Sequence, residues 1–378
     1  MKIAFLWANW IPDISINTNL FQRLYYLSET NEIHLLTPYS VEISPKIEDR
    51  VEIKRSPRVF KKIELLMYYI YLTRTIFNLK RDQFELIITE RSILSIWGFL
   101  AKKIAGIKWV ADIWDDPEKE NYYLYKKLSF RWLMNKLKNV MLKIILRYSD
   151  LVVCSILPEK IRSYKVKQKR ILALPNSIDL DAVHSSHAIK DAKNFTIIFI
   201  GLMRKDRGID ILVDSIQKLG KEIPDLKLIL AGDPEIQKVE AFIKRQPLQI
   251  QIEYHGWIEH KKALSLIDLA DICVCPFKSG TDIEYTYPVK ILEYLAMGKI
   301  VIASNLKGIR TIITSGENGI LVEPENAEKL SEAILRVYKD TNLAQKLQAA
   351  ARKSVLKYHS KDKNKIIDEK LKALFGNE

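Results

Sequence analysis

The sequence predicts an α/β chain made of two Rossmann-like, doubly wound domains in succession. Short, continuously apolar runs alternate with amphipathic helical patterns. The alternation stops in a polar stretch at 181–194 and then restarts, and 378 residues suit about two domains of ordinary size. Continuous apolar strands separated by helices indicate parallel sheets covered on both faces.

In the first half the strands read as Ile3–Trp7, Glu32–Leu36, Glu85–Ile88, Lys108–Ile113, Leu151–Cys154 and Arg170–Ala173, with helices at Leu20–Ser28 and Leu94–Ala105. Ile63–Leu79 reads as a buried or surface-docked helix. Its 17 residues fall short of the roughly 20 that span a bilayer, and it carries Glu64 and Arg74. In the second half Phe195–Ile200, Leu226–Ala231, Gln251–Tyr254, Ile272–Pro276, Ile300–Ala303 and Gly319–Val322 read as strands, separated by helices at 208–220, 234–245, 261–268 and 288–297.

Composition excludes several classes. With 48% hydrophobic and 28% charged residues, and 13 Gly and 13 Pro, the chain is neither disordered nor fibrous. Three cysteines cannot build a disulfide framework, and Cys273 and Cys275 fall two apart in a strand, on one face, which suits a reducing cytosol. Ile3–Trp7 is too short for a signal-peptide core, so the expectation is a protein inside the cell, in the cytosol or on the inner face of the membrane.

The formal charge of +14 is uneven. Residues 1–194 hold 32 Lys/Arg against 21 Asp/Glu, and the remainder holds 28 against 25. Within 121–149 seven basic residues (Lys126, Lys127, Arg131, Lys136, Lys138, Lys143, Arg147) stand among aromatics and aliphatics with no acid. This pattern suits docking on an anionic membrane, and equally a core-facing helix with a solvated basic face. A pI of about 9.3 also raises nucleic acid as a partner, but no RNA- or DNA-binding module is present, and none is expected to bind.

In open parallel sheets ligands bind beyond the carboxyl ends of the strands. No loop there carries GxGxxG or GxxxxGK[ST], which disfavours dinucleotide oxidoreductases and excludes P-loop nucleotidases. Strand Phe195–Ile200 instead runs into Gly201-Leu202-Met203-Arg204-Lys205-Asp206-Arg207-Gly208 before a helix. A cation at a helix N-terminus is unfavourable unless an anion joins it, and a diphosphate fits; a solvated basic loop is the plain alternative. Gly232-Asp233 and His255-Gly256-Trp257-Ile258 each place a glycine at a strand end. Thr286-Tyr287-Pro288-Val289-Lys290 opens a helix that ends at Gly298, with Pro in the first turn and Thr286 as a candidate cap; Lys290 and Glu293 share one of its faces. A carboxylate one turn into that helix is placed to accept both hydroxyls of a ribose.

In order, these segments resemble the retaining glycosyltransferases of the GT-B fold, family four (glycosyl transferases group 1). The match runs from Leu174-Pro175-Asn176-Ser177-Ile178-Asp179 through Gly201…Arg207-Gly208, Gly232-Asp233 and His255-Gly256-Trp257 to Pro288-Val289-Lys290-Ile291-Leu292-Glu293-Tyr294-Leu295-Ala296-Met297-Gly298, covering 174–330 closely and the first half in outline. The resemblance implies an acceptor-binding domain at 1–181 and a donor-binding domain at 195–360 facing a central cleft, with the last helix, 361–378, returning to the first domain.

It further implies a nucleotide-sugar donor, a UDP-sugar first and GDP-mannose as the alternative. Transfer would go to a hydroxyl acceptor such as a lipid-linked or membrane-associated glycan, with retention, no cofactor and no metal. Arg207 takes the place of the basic residue on the diphosphate and acts as the catalytic cation, Glu293 that of the carboxylate on the ribose, and Trp257 and Ile258 lie by the base. Gly201, Arg204, Lys205, Gly232, Glu284, Tyr287, Val289 and Lys290 complete the donor set. Two positions depart from the group: Leu202 stands where an Arg is usual, and Tyr285 where the first of two paired glutamates falls, with Glu284 adjacent.

On the acceptor side, Asp112-Ile113-Trp114-Asp115-Asp116-Pro117-Glu118 follows a strand; Asp115 steers an acceptor hydroxyl beside Trp114, or the acids cap the next helix. Asn17 and Thr18 stand where the family has a glycine pair. The histidines offer no catalytic base, and His34 reads as core. A sugar-nucleotide epimerase and a non-catalytic sugar-nucleotide-binding relative are the rival readings.

Overall fold

The computed structural model describes residues 1–7, 13–14, 19–60, 64–90, 94–116, 130–183, 194–232, 236–244 and 250–376. By its internal contacts the chain divides into two compact units, Met1–Asn176 with Ser360–Glu378, and Ser177–His359. The division falls at Asn176, a few residues before 181, so that Ser177–Val183 goes with the second unit.

In the first unit the order is β1 (Lys2–Leu6), β2 (Asp13–Ile14), α1 (Asn19–Leu27), β3 (Glu32–Thr37), β4 (Glu42–Ile43), α2 (Pro45–Glu48), β5 (Glu52–Arg55), α3 (Glu64–Ile76), β6 (Leu86–Glu90), α4 (Ser95–Ile104), β7 (Lys108–Ile113), α5 (Phe130–Ile145), β8 (Leu151–Cys154), α6 (Pro158–Arg162) and β9 (Ile171–Ala173). Seven strands form one sheet in the order β5-β3-β1-β6-β7-β8-β9, and every pair is parallel. The short strands β2, β4 and β5 carry too little apolar sequence to be anticipated; β2 and β4 pair only with each other.

Alternation along β1 sorts the core. Ala4 and Leu6 face a cluster containing Tyr68, Leu72 and Ile76 of α3, Ala101 of α4, and Leu142 and Ile145 of α5. Ile3, Phe5 and Trp7 face the opposite cluster, with Leu20, Leu24 and Leu27 of α1 and Ile47 of α2. Helices thus cover both faces, as continuous apolar strands require.

The second unit contains β10 (Phe195–Ile200), α7 (Ile209–Leu219), β11 (Leu226–Ala231), α8 (Ile236–Ile243), β12 (Gln251–Tyr254), α9 (His260–Asp268), β13 (Ile272–Cys275), α10 (Val289–Ala296), β14 (Ile300–Ser304), β15 (Ile320–Val322), α11 (Ala327–Lys339) and α12 (Thr341–Ser354). Its sheet is again parallel throughout, in the order β12-β11-β10-β13-β14-β15. The strand order reverses between β10 and β13, so their carboxyl ends flank a topological switch point. Cys273 and Cys275 are both buried in β13, and burial pushes both thiols up.

The last helix, α13 (Ser360–Ala373), belongs to the first unit, where Ile367 and Leu371 join the cluster around α1. It brings a lysine into the interior: Lys363 Nζ donates to Ser155 Oγ at 3.1 Å, close to the buried pair of Arg23 Nη2 and Asp112 Oδ2 at 3.3 Å. Burial, and then the Arg23 charge, push the Lys363 pKa down to about 7, against the pull of Asp112. In the unfolded chain an ordinary lysine keeps its proton up to about 10.4. Between these values the unfolded state binds more protons, so this group's contribution to stability rises with pH, by at most about 1.4 kcal/mol per unit, and is flat below about 7. Urea unfolding of wild type and Lys363→Met from neutral to alkaline pH should therefore show the stability difference moving in the wild type's favour as pH rises; a constant difference would mean that Lys363 is charged throughout.

Candidate functional site

The site is assembled where β10, β11, β12 and β13 end. The Gly201 N–H donates to Ala231 O and the Gly232 N–H to Gly256 O, each at 2.9 Å, so the loops leaving three successive strands are tied side by side. Gly232 adopts φ +100°, and a Cβ there would lie 3.0 Å from Gly201 N. Across the switch point the constraint is tighter: Gly208 has φ +76°, and a Cβ on it would fall 1.8 Å from the Pro276 carbonyl oxygen. Only glycine gives both that dihedral and that approach.

Side chains stitch the same two loops. Arg207 Nη1 and Nη2 donate to Asp282 Oδ1 and Oδ2 at 3.0 and 2.9 Å, and Lys278 Nζ meets Asp210 Oδ2 at 2.6 Å. Arg204 makes its own fork onto Asp206, at 2.9 and 2.6 Å, while Lys205 is exposed. Both arginines of the basic loop are therefore engaged by carboxylates, which corrects the picture of a solvated cationic loop. Two of the five N–H donors of Arg207 go to Asp282. Leu202 is exposed.

Helix α10 opens the other side. Thr286 is not its cap: its hydroxyl donates to Ile283 O, and the N-cap position is Pro288, which makes no side-chain cap. The leading N–H groups, of Val289 and Lys290, have no acceptor within the helix and carry the positive end of its dipole. One turn on, Glu293 is 5% exposed. Its Oε1 lies 2.7 Å from His260 Nε2; its Oε2 has Lys290 Nζ at 3.4 Å and no hydrogen bond among the described residues. Burial alone would raise its pKa, but the Lys290 charge and the His260 hydrogen bond outweigh it and hold the carboxyl below the usual range, so it is ionised at neutral pH.

Trp257 is 71% exposed beyond β12, with Ile258 half-buried next to it. Glu284 accepts the Gly280 N–H at 3.2 Å, and Tyr287 is buried. Tyr285, at the position of the first paired glutamate, has Lys307 Nζ 3.1 Å from its hydroxyl and 4.7 Å from its ring centre.

His260 and Asp282 escaped sequence reading. Neither lies in a glycine-bearing motif, and His260 reaches a residue 33 positions away; its place at the first position of a helix after a strand-end loop was the only signal.

In the first unit the acid run separates. Asp112 is buried on Arg23, and Asp116 is buried with Lys160 Nζ at 3.2 Å and Tyr164 Oη at 3.3 Å. Asp115 is exposed and Trp114 half-buried beside it, so of the three acids Asp115 alone faces solvent. Asn17 and Thr18 lie outside the described residues, as do Asp233, Pro117 and Glu118. His34 is core, as expected, but in charged company: its Nε2 and Nδ1 stand 2.6 and 2.8 Å from Glu32 and Glu52, at the amino ends of β3 and β5 and thus on the far edge from the ligand-binding loops.

Residues 183–354 match the family model for glycosyl transferases group 1. The match covers most of the second unit, and the resemblance read from 174–330 is borne out over 183–330. The phosphatidyl-myo-inositol mannosyltransferase of Mycobacterium tuberculosis is 24% identical over 192 residues, 49% of each chain; the chain thus spans about half the length of this curated relative. Among solved structures, sucrose-phosphate synthase from Thermosynechococcus elongatus superposes with TM-score 0.78 at 18% identity over 100% of both chains. Anabaena HepE in complex with UDP-glucose gives 0.73 at 16% over 99% of this chain and 100% of that one. At such identity the likeness establishes the fold, which is GT-B, with two Rossmann-like domains.

Replacing Gly208 by Ala, which must meet both the left-handed backbone and the Pro276 carbonyl, should destabilise the protein by about 2–4 kcal/mol in denaturant unfolding. Gly280→Ala offers the contrast, since φ there is +67° but nothing lies within 4 Å of the added Cβ.

Proposed function

We propose that the chain is a retaining glycosyltransferase that takes a sugar from a nucleotide-sugar, a UDP-sugar, and passes it to a hydroxyl of a lipid-linked or membrane-associated glycan. The observation that carries this reading is the buried, ionised Glu293 one turn inside an uncapped helix N-terminus, in a group 1 domain. With Oε1 held by His260, Oε2 is left to accept from the ribose hydroxyls. The N–H groups of Val289 and Lys290, with the Lys290 ammonium, meet the diphosphate. Trp257, exposed at the strand end, offers a face to the base. Mycobacterial and cyanobacterial relatives named for a mannosyl transfer and a UDP-glucose complex support a sugar nucleotide as the ligand class.

The chemical step is the breaking of the bond between the anomeric carbon and the diphosphate, whose developing charge requires pre-oriented donors. Arg207 fills that role: Asp282 fixes the plane of its guanidinium and leaves further N–H groups for the leaving diphosphate. Asp115, exposed at the carboxyl end of β7, accepts from or orients the acceptor hydroxyl, with Trp114 beside it. Three acids of these segments are paired with cations, Asp206 with Arg204, Asp282 with Arg207 and Asp210 of α7 with Lys278, which favours charge neutralisation by side chains and a helix end over a metal ion.

Incubation with UDP-, GDP- and ADP-sugars, with nucleotide release and thermal protection as readouts, tests this directly. UDP and its sugars should raise Tm; no protection by any nucleotide would overturn the reading, and protection by GDP-mannose alone would reassign the donor. Glu293→Ala should weaken nucleotide binding by about 1.5–3 kcal/mol, the range for a hydrogen bond to a charged group, with the fold retained. Arg207→Ala should lower turnover more than nucleotide affinity. Activity should persist in EDTA, and strict dependence on added Mg²⁺ or Mn²⁺ would contradict the proposed role of Arg207 and the helix terminus.

A further inference from the structure

Helix α5 has two apolar faces. Leu142 and Ile145 enter the core, while Leu137, Val140, Met141 and Ile144, at i, i+3, i+4 and i+7, form a stripe about half exposed to solvent. The stripe is not isolated. Trp97 of α4 stacks on Tyr69 of α3 at 4.6 Å and donates its indole N–H to Thr73, and Phe99 of α4 meets Tyr148, just past α5, edge-on at 5.4 Å. These contacts join α3, α4 and α5 into one layer on a single face of the sheet. That layer also exposes Leu66, Ile70 and Phe77 on and after α3, and Ile104 on α4. Seven of the sixteen exposed large hydrophobics among the described residues thus lie on three neighbouring helices, and an eighth, Phe77, directly follows one of them. Scattered apolar residues are ordinary on a surface; a concentration of this kind marks a contact.

Charge selects the occupant. The sequences of α3, α4 and α5 contain seven basic residues and one acid, Glu64. Glu64 is buried and accepts the Ser40 N–H at 2.7 Å, so it offers solvent no negative charge. A second copy of the chain meeting this face across a two-fold axis would oppose like charges. An anionic lipid surface receives both the apolar stripe and the cations.

We infer that the α3–α4–α5 face of the first unit docks on an anionic bilayer, with the α5 stripe entering the interface and Lys103, Lys136 and Lys143 meeting the headgroups. This places the contact on three helices instead of on segment 121–149 alone, of which 121–129 and the side chains of Arg131 and Lys138 lie outside the described residues. It extends the reading of a membrane-borne acceptor, and the test uses neither donor nor acceptor, so either can fail without the other.

The full chain is sedimented with vesicles of phosphatidylglycerol and phosphatidylcholine, and with phosphatidylcholine alone, at low and high salt. Binding to the anionic vesicles at low salt is expected, weaker by about ten-fold or more at high salt and on neutral lipid. Met141→Glu with Ile144→Glu should abolish it, Lys136→Glu with Lys143→Glu should reduce it about ten-fold, and Phe77→Asp just past α3 should weaken it, each with Tm and nucleotide protection unchanged. No binding at low salt, undiminished binding by these variants, or a concentration-dependent dimer dispersed by them would overturn the inference.

Discussion

Parallel pairing of every strand in both large sheets is the constraint on which the rest depends. A parallel strand needs a crossover back to its starting edge, so each sheet must be sheathed in helices on both faces, and all carboxyl ends gather along one edge. In the second unit the order reverses between β10 and β13, so the chain leaves these adjacent strands in opposite directions and a crevice opens beyond their carboxyl ends. The close approach of Gly208 to Pro276 and the fork of Arg207 on Asp282 tie the two segments together across that point.

The charges gathered there are organised by burial. Glu293 would be costly if left alone in the interior, and its ionisation is sustained by Lys290 and by His260, which also fixes the carboxylate plane. The same logic explains why cations of the loop after β10 are paired. A guanidinium held by a carboxylate is pre-oriented, and a site whose task is to meet developing negative charge gains from donors that need no rearrangement. Pairing lowers the net positive potential of the loop and raises its geometric definition.

The first unit divides its two faces unequally. Around α1, α2 and α13 most apolar side chains are buried, and the C-terminal helix even carries a lysine into the interior beside Arg23 and Asp112. Around α3, α4 and α5 the apolar sequence exceeds what the sheet can bury, and the excess stands in solvent among basic residues. One face thus keeps most of its apolar side chains within the fold, while the other leaves a larger apolar and basic surface in solvent.

The sequence by itself determined the parallel α/β class, the two-domain division, the longer strands, most helices before α11, and the glycine-marked loops, because continuous apolar runs and strand-end glycines are strong local signals. It also made Lys290 and Glu293 neighbours, since three residues on a helix share a face. Only the tertiary structure decided that His260 and Asp282 join the site, that Thr286 leaves α10 uncapped, and that of Asp112, Asp115 and Asp116 a single carboxylate faces solvent. The apolar pattern of α5 could not reveal that it has two faces, one inward and one outward, because periodicity states which residues lie together and not what lies against them. Partners tens of residues apart leave no spacing to read; they meet because parallel strands deliver their loops to a common edge.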